Sequence, residues 1–428
     1  MAALAPFEPA PAICVAVSGG PDSMALVWLA ARWARALGGS ATALLIDHGL
    51  RPESAVEVAV AVKALGAHGI PAATSRIPGP PPATGRPAWA RAERYRLLEQ
   101  ETAARGVLHL LVGHHQDDQG ETLALNLARG SGTRGLAAIR PQRLGERVRI
   151  LRPLLAMPKA RLIATARAAG LPTAADPSNR DMTYARTRVR QQLAEGVSAA
   201  SLGATAARLA IDDAAIEHVV AGLAAGAVSI SPAGWITIDR NRLLAAPEAA
   251  GIRLLSRAAD AVGGKIRPPR QARVVAALDG LRGMTAGRRT LAGAELDWRE
   301  GALRIWREAG KRPPPVVPIA AFLAETLVWD GRFRVEIPPT APPDGRIGPL
   351  GYKGLRAIEA IAAPPTWINH APRRALASAP ALWVDDWLVA APSFGMPQES
   401  PGHDGLRATH FTLRAVYRPR RPIAPQSG

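Results

Sequence analysis

The stretch Ala16-Val-Ser-Gly-Gly-Pro-Asp-Ser-Met-Ala-Leu26 puts two glycines, an aspartate and two serines at the abrupt end of an apolar run. The residues before it, Ile13–Val17, read as a buried strand, and Met24–Ala31 after it as a helix of high intrinsic propensity. A strand that breaks into glycines and then becomes a helix leaves unpaired backbone N–H groups aimed at one spot. Such a spot attracts anions, phosphate above all. The loop lacks the Gly-Lys-Ser/Thr ending of a Walker loop and the Gly-x-Gly-x-x-Gly of a dinucleotide fold. Gly19 and Gly20 let the backbone close around phosphate oxygens, and Ser18 and Ser23 add hydroxyl donors. Asp22 repels bare phosphate, so its expected work is to hold Mg²⁺ against the phosphates. A glycine turn with Ser and Asp capping a helix is the plainer alternative.

The chain around this loop is long and basic. Its 428 residues predict two or three domains, and a hydrophobic content of 48% argues against global disorder. A net charge of +18 and a pI near 11.3 favour a polyanionic partner, nucleic acid before others, with an Arg- and Ala-enriching genome as the compositional alternative. The single cysteine, Cys14, excludes an intramolecular disulfide, a Cys-x-x-Cys pair and a Cys-ligated iron–sulfur cluster. With no signal-like N-terminus and no apolar run of spanning length, the expectation is a soluble cytoplasmic protein with no membrane partner.

Residues 11 to about 155 alternate strand-like and helical segments, which predicts a parallel α/β sheet. The expected strands are Ile13–Val17, Ala41–Ile46, Ala72–Ile77, Val107–Gly113 and Val148–Leu151. The expected helices include Ser54–His68, Ala88–Arg105 and Asp117–Arg129. From about 197 to 250 the chain is Ala-rich and helical in pattern, with Ala199–Leu223 as one long helix. Strand-like pieces at Thr326–Trp329, Arg332–Ile337 and Trp383–Ala390 predict a small mixed α/β module at the end. The domain boundaries expected are 1–195, 196–312 and 313–428. Charge separates these regions: residues 1–195 carry 24 basic and 15 acidic side chains, and residues 253–312 carry 14 and 6. Arg267, Arg270, Arg273, Arg282, Arg288 and Arg289 form the densest basic run, read as a phosphate-contacting surface rather than a merely solvated face.

Two further motifs follow strand ends, where doubly wound sheets place their ligand crevice. Asp47 and His48, in Ile46-Asp47-His-Gly-Leu-Arg51, would sit beside the first loop or act as loop caps. Gly113-His-His-Gln-Asp-Asp-Gln-Gly-Glu-Thr122 is the more informative. Asp118 and Glu121 share a helix face at i, i+3. Acids in a first helical turn are ordinary dipole compensation, but two histidines and three acids exceed what capping requires. An acidic pocket for Mg²⁺ or a cationic substrate fits better than zinc, because adjacent His114 and His115 point apart on an extended chain.

With these pieces in place, SGGPDS identifies the chain as similar to the PP-loop ATP pyrophosphatases. Within that superfamily it resembles the tRNA(Ile)-lysidine synthetases. The matching pieces are SGGPDS (18–23), DHGLR (47–51), ARAERY (90–95), GHHQDDQGET (113–122), RGSGTRGL (129–136), RPLL (152–155), DPSN (176–179) and Arg186-x-Arg-x-Arg190, in the family's order. The resemblance implies an α/β, parallel-sheet, adenine nucleotide α-hydrolase-like N-terminal domain, a helical linker and basic tRNA-binding domain, and a C-terminal tRNA-binding domain. It implies ATP and Mg²⁺, L-lysine, and an isoleucine tRNA with a CAU anticodon whose wobble cytidine is adenylated at carbon-2 and then attacked by the lysine ε-amine. Carried over by position, Ser18, Gly19, Gly20, Pro21, Asp22, Ser23, Asp47 and His48 bind ATP, with Asp22 on the metal. Arg91 and His114 assist at the reacting phosphate or base. Asp118 and Glu121 receive the charged groups of lysine, and Arg186 or Arg190 contacts tRNA or nucleotide. Thr187 departs from the family's usual Asn, and no role is placed there. The oligomeric state stays open, a homodimer among the alternatives.

Two rival enzymes are weaker fits. A cluster- or persulfide-dependent tRNA thiolase needs more cysteines than Cys14. An ammonia-using synthetase needs a glutaminase nucleophile. An inactive RNA-binding module on a degenerate nucleotide fold is at odds with the intact SGGPDS and GHHQDDQGET elements.

Overall fold

The computed structural model describes residues 1–47, 54–145, 147–174, 189, 198–264, 268–299, 301–310, 313–360, 368, 371–394 and 413–418. His48, Arg51, Arg186, Arg190 and Arg267 lie outside the described residues. The chain divides into two compact units, residues 1–214 and 215–426.

The first unit is built on strands whose side chains are apolar on both faces, the mark of a doubly covered parallel sheet. On β1 (Ala12–Val17), Ile13, Val15 and Val17 enter one core, while Cys14 faces the other. β2 (Ser40–Asp47) splits in the same way, Leu45 to one side and Leu44 and Ile46 to the other. The first core lies under α1 (Pro21–Ala36), α2 (Ser54–Ala67) and α6 (Lys159–Ala168); the second lies under α3 (Arg86–Ala104). With β3 (Ala72–Arg76), β4 (His109–Leu111), β5 (Gln142–Leu144) and β6 (Arg149–Leu151) the sheet order is β3-β2-β1-β4-β6-β5. All neighbours are parallel except β5, an antiparallel edge strand. The sequence reading omits β5, because Gln-Arg-Leu carries no apolar pattern.

That order positions the site. The chain leaves β1 outward through β2 and β3, then returns to place β4 on the other flank of β1. Between β1 and β4 is therefore the topological switch point, where open α/β sheets bind ligands beyond the strand C-termini. The loop after β1 and the loop before α4 (Gln116–Ala128) face each other there. α4 in turn fixes the segment that contains the short helix α5 (Thr133–Leu136). The Gln119 amide donates to the Ile139 carbonyl at 2.9 Å and accepts its N–H at 2.7 Å, and Asn126 donates to the Gly135 carbonyl.

Helix α7 (Ala199–Ala227) runs four residues past the expected end. In the second unit, β7 (Val228–Ile230), β8 (Ile236–Asp239), β9 (Gly287–Leu291), β10 (Ala294–Arg299) and β11 (Ala302–Arg307) form an antiparallel sheet of order β7-β8-β11-β10-β9. Its apolar face, with Ile236, Ile238, Leu296, Trp298, Leu303 and Ile305, packs on α8 (Arg240–Ala245), α9 (Glu248–Gly263) and α10 (Gln271–Gly283). The basic run is distributed over these elements. Arg282 pairs with Asp279, Arg288 with Glu295 and Asp297, and Arg289 donates to the Ala276 carbonyl, while Arg270 and Arg273 stand exposed at the start of α10.

The remainder of this unit holds two small sheets. One orders β12 (Val317–Pro318), β15 (Arg346–Pro349), β16 (Pro380–Val384) and β17 (Trp387–Ala390). The other orders β13 (Thr326–Trp329), β14 (Phe333–Glu336) and β18 (Arg414–Tyr417). The expected single strand Trp383–Ala390 is instead a hairpin. Asp385 takes a φ of 46°, a left-handed turn conformation that Asp tolerates, and reverses the chain between β16 and β17. Arg332 ties these sheets to β11. It is fully buried between Trp329 and Phe333, and it donates to Asp330 at 2.7 Å and to the Ser378 carbonyl at 2.8 Å. Arg307 of β11 reaches the same Asp330 at 3.0 Å.

Candidate active site

The loop after β1 is closed by its own serines. The Ser23 hydroxyl accepts the Ser18 N–H at 3.1 Å, donates to the Gly20 carbonyl at 3.0 Å, and lies 3.3 Å from the Ser18 hydroxyl. Gly19 adopts φ +81°, a left-handed conformation that any Cβ opposes. Gly20 is the N-cap of α1 and Pro21 its first residue, where the missing N–H is no loss. Gly19→Ala is therefore expected to weaken ATP binding by a strain of about 1–2 kcal/mol while leaving the sheet folded. Equilibrium dialysis with labelled ATP beside a thermal melt measures both, and unchanged ATP affinity would refute this account of the loop.

Directly opposite, Gly113 lets the second loop approach closely. A Cβ there would sit 3.4 Å from the backbone N and Cα of Ser23. This approach brings His115 onto Asp22. The imidazole is 3% exposed, with its Nε2 3.5 Å from a carboxylate oxygen of Asp22 and 3.5 Å from one of Asp118. The Asp118 carboxylate also accepts the His115 backbone N–H at 3.0 Å, which closes the first turn of α4. From the N-terminus of α6, the Lys159 ammonium comes within 3.6 Å of Asp22, and the Lys159 backbone N–H donates to Asp117 at 3.2 Å.

Burial acts to raise the Asp22 carboxyl, but His115 and Lys159 outweigh it and hold the group below the ordinary carboxylate range. Burial acts to lower His115, and Asp22 and Asp118 outweigh it in the upward direction. Each group thus favours the charged form of the other, a carboxylate facing an imidazolium. One Asp22 oxygen takes these cations. The other, Oδ1, is buried and has no hydrogen-bond partner among the described residues. A hard cation bound through one carboxylate, nucleotide phosphates and water fits that oxygen.

Of the residues singled out in the sequence, Ser18 to Ser23, Asp118 and Glu121 gather around this crevice or on the helix beside it. Glu121 is 2% exposed on α4. Asp47 ends β2, and its carboxylate accepts the Ser54 hydroxyl and lies 3.8 Å from Arg76. Arg91 is exposed on α3, 5.3 Å from the Tyr95 ring. His114 is half-buried, and the histidine that reaches Asp22 is its neighbour His115. The sequence reading counts Asp117 among the motif's acids without a role of its own, and it passes over Lys159. The available signal for Lys159 was a lysine directly after proline at a helix start, just downstream of RPLL.

Comparison with known proteins gives a consistent picture. The PP-loop domain family matches residues 2–197. The chain is 41% identical over 327 residues to the tRNA(Ile)-lysidine synthase of Bradyrhizobium sp. (strain BTAi1), covering 70% of this chain and 91% of the relative. The proteins of that name from Ruegeria pomeroyi and Mesorhizobium japonicum are 33% and 34% identical over 91% and 96% of this chain, and 90% and 88% of their own lengths are covered.

Proposed function

Since the chain belongs to the tRNA(Ile)-lysidine synthase family, an ATP-dependent ligase family that forms lysidine on isoleucine tRNA, we propose how its residues divide that reaction. The observation that carries the reading is the crevice itself: a phosphate-shaped loop, Ser18–Ser23, whose Asp22 keeps one buried oxygen without a hydrogen-bond partner among the described residues.

The loop N–H groups and the Ser18 and Ser23 hydroxyls hold the triphosphate of ATP at the positive end of α1. Mg²⁺ held by Asp22, when bound, neutralises the charge that builds on the phosphates. The O2 oxygen of the wobble cytidine of the CAU anticodon attacks the α-phosphorus, the bond to the β-phosphate bridge breaks, and diphosphate leaves. Lys159 is positioned to shift from Asp22 toward that departing charge, and Arg91 and His114 act at the same phosphate or at the base. The ε-amine of free L-lysine then attacks carbon-2, and AMP leaves with the oxygen. Asp118 and Glu121 accept the charged groups of lysine and orient its amine. His48, Arg186 and Arg190 take their roles at nucleotide or tRNA from the family pattern alone. The basic second unit grips the tRNA. The reaction belongs in the cytoplasm, where tRNA, ATP and free lysine meet.

The direct test is ATP-dependent incorporation of labelled lysine into isoleucine tRNA with a CAU anticodon, with methionine tRNA as the control. Incorporation into the first alone is expected. Release of diphosphate without lysine incorporation would keep the adenylation and discard lysine as the nucleophile. Within this reaction, Glu121→Gln is expected to raise the KM for lysine more than that for ATP. Equal changes in both would move Glu121 from substrate binding to metal or fold.

A further inference from the structure

The face of the parallel sheet under α3 carries a second basic cluster, of which the reaction above uses only Arg91. α3 connects β3 to β4 and runs against the strands, so its first half lies toward the reactive end of the sheet. Arg152 follows β6 directly, at that same end. The guanidinium carbons of Arg91, Arg94 and Arg143 stand 5.3, 5.9 and 5.7 Å from the centre of the Tyr95 ring. Arg152 is 8% exposed beside them. Its Nη1 donates to the Arg140 carbonyl at 2.8 Å, and its buried Nε has no hydrogen-bond partner among the described residues.

Four guanidiniums in one place call for counter-charge. Glu99 supplies some, at 2.8 Å from Arg143. Glu93 is engaged by Arg96 and Asp213 by Arg140, each at 2.8 Å. Among the described residues, no carboxylate pairs with Arg91, Arg94 or Arg152. Burial, and beyond it the neighbouring arginines, push both Arg94 and Arg152 downward, against the partial relief that Tyr95 gives. Such crowding of desolvated like charge is unfavourable by itself and is relieved by an anion.

We propose that Arg94, Arg143 and Arg152, arranged around Tyr95, bind a backbone phosphate of the tRNA strand that carries the reacting cytidine. The assignment rests on tRNA being the substrate. Planar guanidiniums match the paired oxygens of a phosphodiester. β6 lies two strand spacings from β1, about 10 Å from the loop that holds the nucleotide phosphates. A polynucleotide continues past its reacting base and supplies a further phosphate at such a distance; a mononucleotide seated on the loop does not.

The test measures binding of isoleucine tRNA across a series of monovalent salt concentrations, for the wild-type chain, Arg94→Gln, Arg143→Gln and the matching lysine variants. Each glutamine variant is expected to make the slope of log K against log salt shallower by about 0.7, with lysine restoring it. ATP binding without tRNA is expected to stay at the wild-type value. Variant slopes equal to wild type would overturn the assignment and leave lysidine formation standing. A parallel loss of ATP affinity would overturn it too, giving the cluster to nucleotide phosphates. Failure of the wild-type chain to form lysidine would strike the parent reading, not this site.

Discussion

Asp22→Ala is expected to lower the rate of adenylation on the order of 10³-fold, the scale of several kcal/mol of charge stabilisation lost at the phosphates. Two observations place the effect on chemistry. The carboxylate is partly exposed, and its buried Oδ1 has no hydrogen-bond partner among the described residues, so the group is not there to satisfy the fold. Its other oxygen holds His115 and Lys159, two cations that would otherwise repel each other across the crevice. Asp22→Asn keeps the shape and removes the charge, and it should fall with Ala. Diphosphate release in the presence of tRNA and the absence of lysine reads the step directly. The affinity for tRNA should be nearly unchanged, because the phosphate contacts assigned above lie elsewhere. A matching loss of tRNA affinity in a filter-binding assay would mean that Asp22 shapes the RNA site as well.

Arg332→Ala carries the largest expected effect on stability, about 3–5 kcal/mol, the scale for breaking a buried ionic contact by removing one partner. Arg332 is 0% exposed, so its charge has no access to water in the folded chain. Asp330 retains Arg307 when Arg332 is lost, which spares it isolation. The loss falls instead on the Ser378 carbonyl and on the space between Trp329 and Phe333. Tryptophan fluorescence follows it in denaturant, since Trp235, Trp298, Trp306, Trp329 and Trp383 all belong to this unit. A change of about 1 kcal/mol or less, the range of an exposed pair, would show that the contact does not hold the unit together.

The first unit was legible in the sequence because a parallel sheet buried on both faces writes itself as uninterrupted apolar runs. Three of these runs, at β1, β2 and β4, end in a motif that the packing of the sheet leaves unexplained. β5 escaped because an edge strand needs no such run, and Gln142-Arg-Leu144 shows none. That His115, beside the chosen His114, is the one that reaches Asp22 could not be read from the sequence, because which of two adjacent side chains turns inward depends on backbone angles set by the close approach of Gly113 to Ser23. Lys159 was hidden by distance along the chain, since its one local mark, a lysine after proline at a helix start, does not say that it meets Asp22 once the sheet has folded. In the second unit the strands are two to six residues long and amphipathic at best, so Trp383–Ala390 passed for one strand when its two aspartates make a turn.

The buried tie at Arg332 also bears on how a long substrate is measured. Asp330 shares its carboxylate between Arg307 on one sheet and Arg332 on another, and Arg332 reaches a third through Ser378. Hinging any of these sheets away from the others would expose a desolvated charge without its partner. The second unit is accordingly built as a calliper with its jaws locked. Whatever touches both the five-stranded sheet and the terminal sheets meets a fixed span rather than one that adjusts to it.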